Sequence, residues 1–324
     1  MRAIVVEKTG GPEVLEIRDD WPKPDPADGR VLIRIRAFGL NRGEMYTRLG
    51  DSPSVRFPRV LGIECAGIVE AAPGTRFEPG QRVVATTGGM GRAYDGGYAE
   101  FVSVPADRVH AVDTTLDWPA LAAVPEMFHT AWGALELALG IRAGQSLLIR
   151  GGSSAVGLAA ANYAKAHGLT VLSSTRDAAK ADRLRAFGAD HVVVGDAELA
   201  GAVRKIFPDG VDAMFDLVGT KVIGDSFACV RTGGTLCMAG LLGGEWVIDG
   251  FSPGETIPST TKFTYFSSSS TPMTTAALQD YLRGIESGRY ALPLGPVFAF
   301  DDIRAAHRLM ESNAAAGKIV VTVP

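Results

Sequence analysis

Between residues 146 and 239 the chain alternates short apolar runs with longer stretches of helical periodicity, and nothing else in the sequence limits the fold as tightly. The runs fall at 146–150, 169–173, 191–194, 211–218 and 235–239, with predicted helices closing at His167, Phe187, Phe207 and Val230. Strands apolar on both faces and separated by helices require a parallel sheet covered on both sides. An α/β, doubly wound Rossmann domain is therefore predicted here. A further strand is predicted at 263–267, helices at 274–286 and 301–313, and a closing strand at 318–323. The first third follows another pattern. Short runs at 3–6, 31–37, 67–70, 82–85 and 100–104, broken by Gly- and Pro-rich turns, predict a mostly β domain.

The first strand-to-helix turn reads RGGSSAVG from Arg150 to Gly157. Small residues there let a pyrophosphate approach the backbone, where free N–H groups and the positive end of the helix dipole meet it. Gly152, Ser153, Ser154, Ala155, Val156 and Gly157 are the predicted phosphate contacts. Ser154 breaks the strict GxGxxG pattern, and a tight turn that binds nothing is the competing reading. At the end of the next strand an NAD-specific fold needs a carboxylate for the ribose. This chain offers Ser174, Thr175 and Arg176 instead, with Lys180 four residues on. Hydroxyls and two cations suit a 2′-phosphate, so NADPH is the predicted cofactor. Asp177 either opposes that phosphate or caps the following helix, and its position favours the cap.

Composition narrows the partners. The 324 residues suffice for two domains, and a net charge of −4 without a basic run gives no electrostatic footprint for nucleic acid. No apolar stretch reaches the length of a membrane span and the N-terminus lacks an apolar signal core, so a cytoplasmic protein with no membrane partner is expected. Cys65, Cys229 and Cys237 are odd in number, widely spaced and set among apolar residues, as reduced core thiols are.

Six segments, in order, carry a resemblance: GLNRGEMYTRLG (39–50), FPRVLGIECAGIVE (57–70), DGGYAEFVSVP (95–105), GGSSAVG (151–157), FGADHVV (187–193) and AGKIVVTV (316–323). Together they resemble the medium-chain dehydrogenase/reductase superfamily, and within it the zinc-independent quinone oxidoreductase (zeta-crystallin-like) branch. The resemblance implies a GroES-like catalytic domain over residues 1–120, completed by 271–324, and a Rossmann NADPH-binding domain over 121–270, with the nucleotide in the cleft between them. It also implies a homodimer. It places Asn41 and Tyr46 at the substrate pocket as donors to an oxygen that gains charge, with Arg42 nearby, and Thr130 near the nicotinamide. Gly219, Gly240, Leu241, Asn313 and Lys318 are implied further along the cofactor.

Departures from the superfamily's zinc enzymes bear on the chemistry. Those enzymes resemble this chain except that a cysteine matches Asn41, a histidine matches Ile63 and, by alignment, a further cysteine matches Glu126. Asn41 and Ile63 are poor zinc ligands and no four-cysteine lobe is present, so no metal is expected. His129 with Glu126 is the pairing that keeps a metal reading open, against a packed histidine with a polar contact. Without a Lewis acid, alcohol oxidation is disfavoured. Hydride transfer from NADPH to a small-molecule quinone or similar electron-poor carbonyl is expected. An enone (2-alkenal) reductase and a non-catalytic NADPH-binding protein are the alternatives.

Overall fold

The computed structural model describes residues 1–195 and 198–324. The chain divides into two compact units, one formed by Met1–Met127, Pro272–Ser287 and Leu292–Pro324, the other by Phe128–Thr271 and Gly288–Ala291.

The first unit opens with β1 (Ala3–Val6), β2 (Leu15–Arg18) and β3 (Arg30–Gly39). Helix α1 (Arg42–Leu49) follows, then β4 (Arg59–Val60), β5 (Glu64–Ala71), β6 (Arg82–Thr86), β7 (Phe101–Pro105) and β8 (Val109–Ala111). α1 stops at Gly50, whose φ of 103° lies in the left-handed region that glycine enters without strain. Two short helices, α2 (Trp118–Ala122) and α3 (Pro125–Trp132), lead out of this part, and a π-helical stretch, Gly133–Leu139, follows them. None of the three was expected. Residues 121–129 are buried without a break, so no exposed face left a helical period to read.

The second unit alternates β9 (Ser146–Arg150), α4 (Ala155–Ala166), β10 (Thr170–Thr175), α5 (Ala181–Ala186), β11 (His191–Val194), α6 (Leu199–Ile206), β12 (Val211–Asp216), α7 (Ile223–Cys229) and β13 (Val230–Met238). A short α8 (Pro253–Thr256) and β14 (Lys262–Tyr265) complete it. The sheet is parallel throughout, in the order β11-β10-β9-β12-β13-β14. That is the 3-2-1-4-5-6 order of a dinucleotide-binding Rossmann sheet, in which strand order reverses beside the first strand and ligands bind at the strands' carboxyl ends. Ala159, Ala160 and Ala161 of α4 are fully buried, which lets the helix lie close on the sheet.

The chain then returns to the first unit through α9 (Thr275–Glu286), β15 (Leu294–Ala299), α10 (Ile303–Glu311) and β16 (Lys318–Thr322). β16 enters a seven-stranded sheet beside β3, while β15 forms its edge and carries Pro296.

Candidate functional site

β9 delivers the chain to the glycine turn. Gly151 sits at φ 81°, and the Gly152 N–H donates to the Ser174 carbonyl at 3.0 Å. A Cβ on Gly157 would stand 2.7 Å from Gly152 Cα, so only glycine allows the helix to start this close to the turn. Ser154, where the glycine pattern breaks, caps α4. Its Oγ accepts from the Gly157 N–H at 3.1 Å and donates to the Gly151 carbonyl at 2.9 Å. Residues 153–156 are half-buried, and the first-turn N–H groups of Ala155 and Val156 have no partner within the helix, so donors line the positive end of its dipole.

β10 ends in Ser173, Ser174 and Thr175, all buried, followed by the exposed Arg176. Thr175 Oγ1 accepts from the Asp177 N–H at 3.2 Å and lies 3.5 Å from Ser153 Oγ, which ties this strand end to the glycine turn. The Asp177 carboxylate accepts from the Ala179 N–H at 3.0 Å and so caps the turn that carries Lys180. Both readings of Asp177 were open in the sequence, and the cap is the geometry present.

A network absent from the sequence reading braces the neighbouring strand ends. Asp216, fully buried, accepts from the Val218 N–H at 2.7 Å, the Gly219 N–H at 2.9 Å and Ser226 Oγ at 2.5 Å. Arg150 donates to Asp225 at 2.7 Å and to Ser226 Oγ at 3.0 Å. Burial raises the Asp216 pKa, and these hydrogen bonds oppose the rise. Gly219 and Gly240 touch backbone to backbone: a Cβ on Gly219 would stand 2.7 Å from the Gly240 carbonyl oxygen. Leu241 and, on α3, Thr130 are half-buried. His129 is a packed histidine, its Nε2 2.7 Å from the Thr271 carbonyl and its ring edge-on to Phe266.

In the first unit, sheet register assembles a buried charge network. Val320 of β16 pairs with Gly39 of β3, and Ala37 of β3 pairs with Ala66 of β5. Two residues further along each ladder, Lys318 meets Asn41 and Glu64 meets Gly39. Lys318 Nζ lies 2.5 Å from both Glu64 Oε1 and Asn41 Oδ1. The Asn41 amide donates to Glu64 Oε1 at 2.8 Å and to Glu44 Oε1 at 3.3 Å. The Glu126 N–H donates to Glu64 Oε2, and Thr86 Oγ1 to Glu126 Oε2, both at 2.8 Å. Gly39 makes the room, since a Cβ there would fall 2.5 Å from Lys318 Cε. Glu44 Oε1 also accepts from the Ile63 N–H at 3.1 Å, while its Oε2 is buried without a hydrogen-bond partner. Burial pushes the Glu44 pKa up to about 7.

Two expected site residues therefore face inward. Both amide hydrogens of Asn41 are committed to carboxylates, and the Lys318 ammonium, 3% exposed, is held by Glu64. Tyr46 lies further along α1, half-buried, and its phenol pKa is raised by burial against the opposing pull of Arg42. Arg42 also donates to Asn313 Oδ1 and to the Met310 carbonyl, so it links Tyr46 to Asn313. Among the described residues, no three His, Cys, Asp or Glu side chains converge as a metal site requires.

Comparison with known proteins fits this geometry. The alcohol dehydrogenase GroES-like domain profile matches residues 27–114, and the zinc-binding dehydrogenase profile matches 187–321. A quinone oxidoreductase from Lama guanicoe is 30% identical over 99% of this chain and 97% of its own. The chain belongs to the medium-chain dehydrogenase/reductase superfamily. It is an oxidoreductase of the medium-chain reductase type. A mycobacterial protein solved in complex with NADPH is similar at 28% identity with a TM-score of 0.89, and an NAD-dependent alcohol dehydrogenase at 28% with 0.87, each pair covered in full. In this medium-chain reductase the GroES-like match contains Asn41, Tyr46 and Glu64, and the second match contains Gly219, Gly240, Asn313 and Lys318. The sequence reading passed over Glu44 and Glu64. The signal for Glu64 was an acid inside one apolar run (VLGIECAGIV) and a lysine at the head of another (KIVVTV), since buried opposite charges need each other; Glu44 had no such signal.

Proposed function

We propose that this chain is an NADPH-dependent reductase that passes hydride to a quinone or a similar electron-poor carbonyl acceptor without zinc. The observation that carries the cofactor choice is the end of β10. Arg176 and Lys180 flank buried hydroxyls there, and the carboxylate of that segment, Asp177, is turned to its cap. A 2′-phosphate suits that set, and an unphosphorylated ribose finds no carboxylate in it. The NAD-dependent and the NADPH-bound neighbours are equally identical to this chain, so local charge, not fold, is what favours NADPH. The quinone oxidoreductase relative supports the acceptor class.

Zinc independence is supported by the donor set. Glu64 is saturated by Lys318, Asn41 and the Glu126 N–H, and Ile63 offers no donor atom. A divalent cation at Glu64 has to displace an ammonium already in place.

NADPH, when bound, supplies the hydride. The Ala155 and Val156 N–H groups at the start of α4 would hold a pyrophosphate, with Gly152 and Gly157, whose own N–H groups serve Ser174 and Ser154, keeping the turn open to it. The Lys318–Glu64–Asn41 network fixes the first turn of α1, which makes Asn41 a positioning residue. Tyr46, further along that helix, presents its phenol to the acceptor oxygen. Its raised pKa keeps the proton on the phenol through neutral pH, as a hydrogen-bond donor requires.

Initial rates with NADPH and NADH against a quinone, an enone and an alcohol test the proposal. NADPH-driven quinone reduction that survives chelation is expected. Faster turnover of the enone identifies an enone reductase. NAD-linked alcohol oxidation, or activity lost on chelation and restored by zinc, overturns the proposal.

A further inference from the structure

We propose that Arg92 is a second charge-stabilising group at the acceptor, its guanidinium taking the negative charge that builds on the acceptor oxygen; this rests on the hydride-transfer reading above. Arg92 stands in a tightly built turn in which Thr87, Gly88, Gly89 and Gly91 all have positive φ. That turn is pinned to the loop between β4 and β5, because a Cβ on Gly91 would lie 2.8 Å from the Gly62 carbonyl oxygen. The backbone therefore fixes where the side chain begins. Its far end lies over α1, with Nη2 3.1 Å from the point where a Cβ on Gly43 would be. Ile63 Cδ1 walls the same point at 3.6 Å.

Three facts together point to an anionic ligand at this gap. Arg92 is half-buried and its Nε is shut off from water without a hydrogen-bond partner. No hydrogen bond or ion pair of its side chain is found among the described residues, so the guanidinium's terminal N–H groups, which reach solvent, stay available to a ligand, while the buried Nε is the donor left unmet. Gly43, over which it lies, is three residues before Tyr46 on α1, so the guanidinium and the phenol address one helix face. The missing side chain at Gly43 is what leaves the guanidinium its place.

The chemistry that uses such a cation balances as follows. The hydride carries two electrons from the nicotinamide C–H bond to the acceptor and forms a new bond there. The dihydronicotinamide is oxidised, and the displaced π pair settles on the acceptor oxygen as a quinol or enol anion. One proton from solvent then neutralises it. Arg92 holds that anion electrostatically and exchanges no proton.

Three variants and a probe test this. Arg92→Ala is expected to lower kcat roughly 10- to 100-fold, less than the roughly 100- to 1000-fold lost with a fully enclosed oxyanion donor because Arg92 is only half-buried. NADPH affinity, read by nucleotide fluorescence, is expected to stay within about twofold because the phosphate contacts lie elsewhere. Added guanidinium ion is expected to restore part of the rate. Gly43→Ala keeps Arg92 but fills its place, and is expected to lower kcat in the same sense even if Arg92→Ala folds poorly. The probe is p-nitrophenol, titrated by absorbance on the cofactor-free protein. Its bound pKa is expected to fall by about one unit or more in the wild type relative to Arg92→Gln. An unchanged kcat in both Arg92→Ala and Gly43→Ala, with equal probe pKa values in wild type and Arg92→Gln, overturns the inference and leaves the hydride reading intact. A wild type that reduces neither quinone nor enone overturns that reading instead, and the probe titration then decides by itself whether Arg92 holds an oxyanion.

Discussion

Lys318 is buried because Glu64 is, and neither side chain is tolerable alone at 3% and 0% exposure. Replacing one partner leaves an uncompensated charge in the core, a loss of about 3–5 kcal/mol. Lys318→Met is therefore expected to lower the urea midpoint sharply. Lys318→Met combined with Glu64→Gln is expected to recover a large part of that loss, since the second change removes the stranded charge. If single and double variants unfold alike, the 2.5 Å pair contributes no coupling. Tyr46 belongs to the same scale with a different readout. Tyr46→Phe keeps the ring packed and deletes one donor, so kcat is expected to fall by about 1–3 kcal/mol of transition-state stabilisation while NADPH affinity holds. A wild-type rate across several acceptors assigns the phenol to structure alone.

The end of β10 and the turn after it act as one element for cofactor choice. The double change Arg176→Ala with Lys180→Ala is expected to erase most of a preference for NADPH over NADH of roughly 10- to 1000-fold in kcat/KM, and rising salt is expected to shrink that preference in the wild type. Equal use of both cofactors by the wild type means that Asp177 leaves its cap to meet a ribose. Elements of this kind were legible in the sequence because they are contiguous: strand, glycine turn, helix and the next strand end occur within thirty-odd residues, and two-faced burial marks the strands. The run read as 211–218 ends as a strand at Asp216, where the carboxylate bends the chain by accepting from Val218 and Gly219. The charge network could not be read the same way. Lys318 reaches Asn41 across 277 positions, and only the register of β16 on β3 brings them together. Asn41 looked like a free amide in the sequence because its partners are distant in the chain. The stretch from the end of α2 into α3 was illegible for another reason, since residues 121–129 are buried on every side and leave no period by which a helix is read.

At the scale of the whole molecule, two buried groups in one unit exchange their ordinary protonation order. Burial pushes the Glu44 pKa from 4.5 up to about 7. Burial, aided by the Arg48 charge, pushes the His307 pKa from 6.5 down to about 3, with its Nε2 3.1 Å from the Tyr98 hydroxyl. Stability rises with pH wherever the unfolded chain binds more protons than the native one. Between about pH 3 and 4.5 the unfolded chain protonates both groups and the native protein only Glu44, so their joint contribution climbs with pH. From 4.5 to 6.5 the unfolded chain holds the histidine proton and the native protein the glutamate proton; the counts match and the contribution is flat. From 6.5 to about 7 only native Glu44 keeps its proton, and stability falls. At 1.36 kcal/mol per pKa unit the joint rise comes to about 2 kcal/mol and the joint fall to under about 1 kcal/mol, whereas each group taken singly contributes roughly 3–5 kcal/mol over its own window. Urea unfolding of Glu44→Gln, minus wild type, is expected to give a difference that grows as pH rises from 4.5 to 7. The same difference for His307→Phe is expected to grow as pH falls from 6.5 toward 3. Subtraction cancels other titrating groups such as Asp216, Glu70 and Glu286, whose shifts both proteins share. A pH-independent difference for Glu44→Gln means that the carboxylate is ionised inside the fold, and the unpartnered Oε2 then has to carry a charge that Lys318, already held by Glu64 and Asn41, does not neutralise.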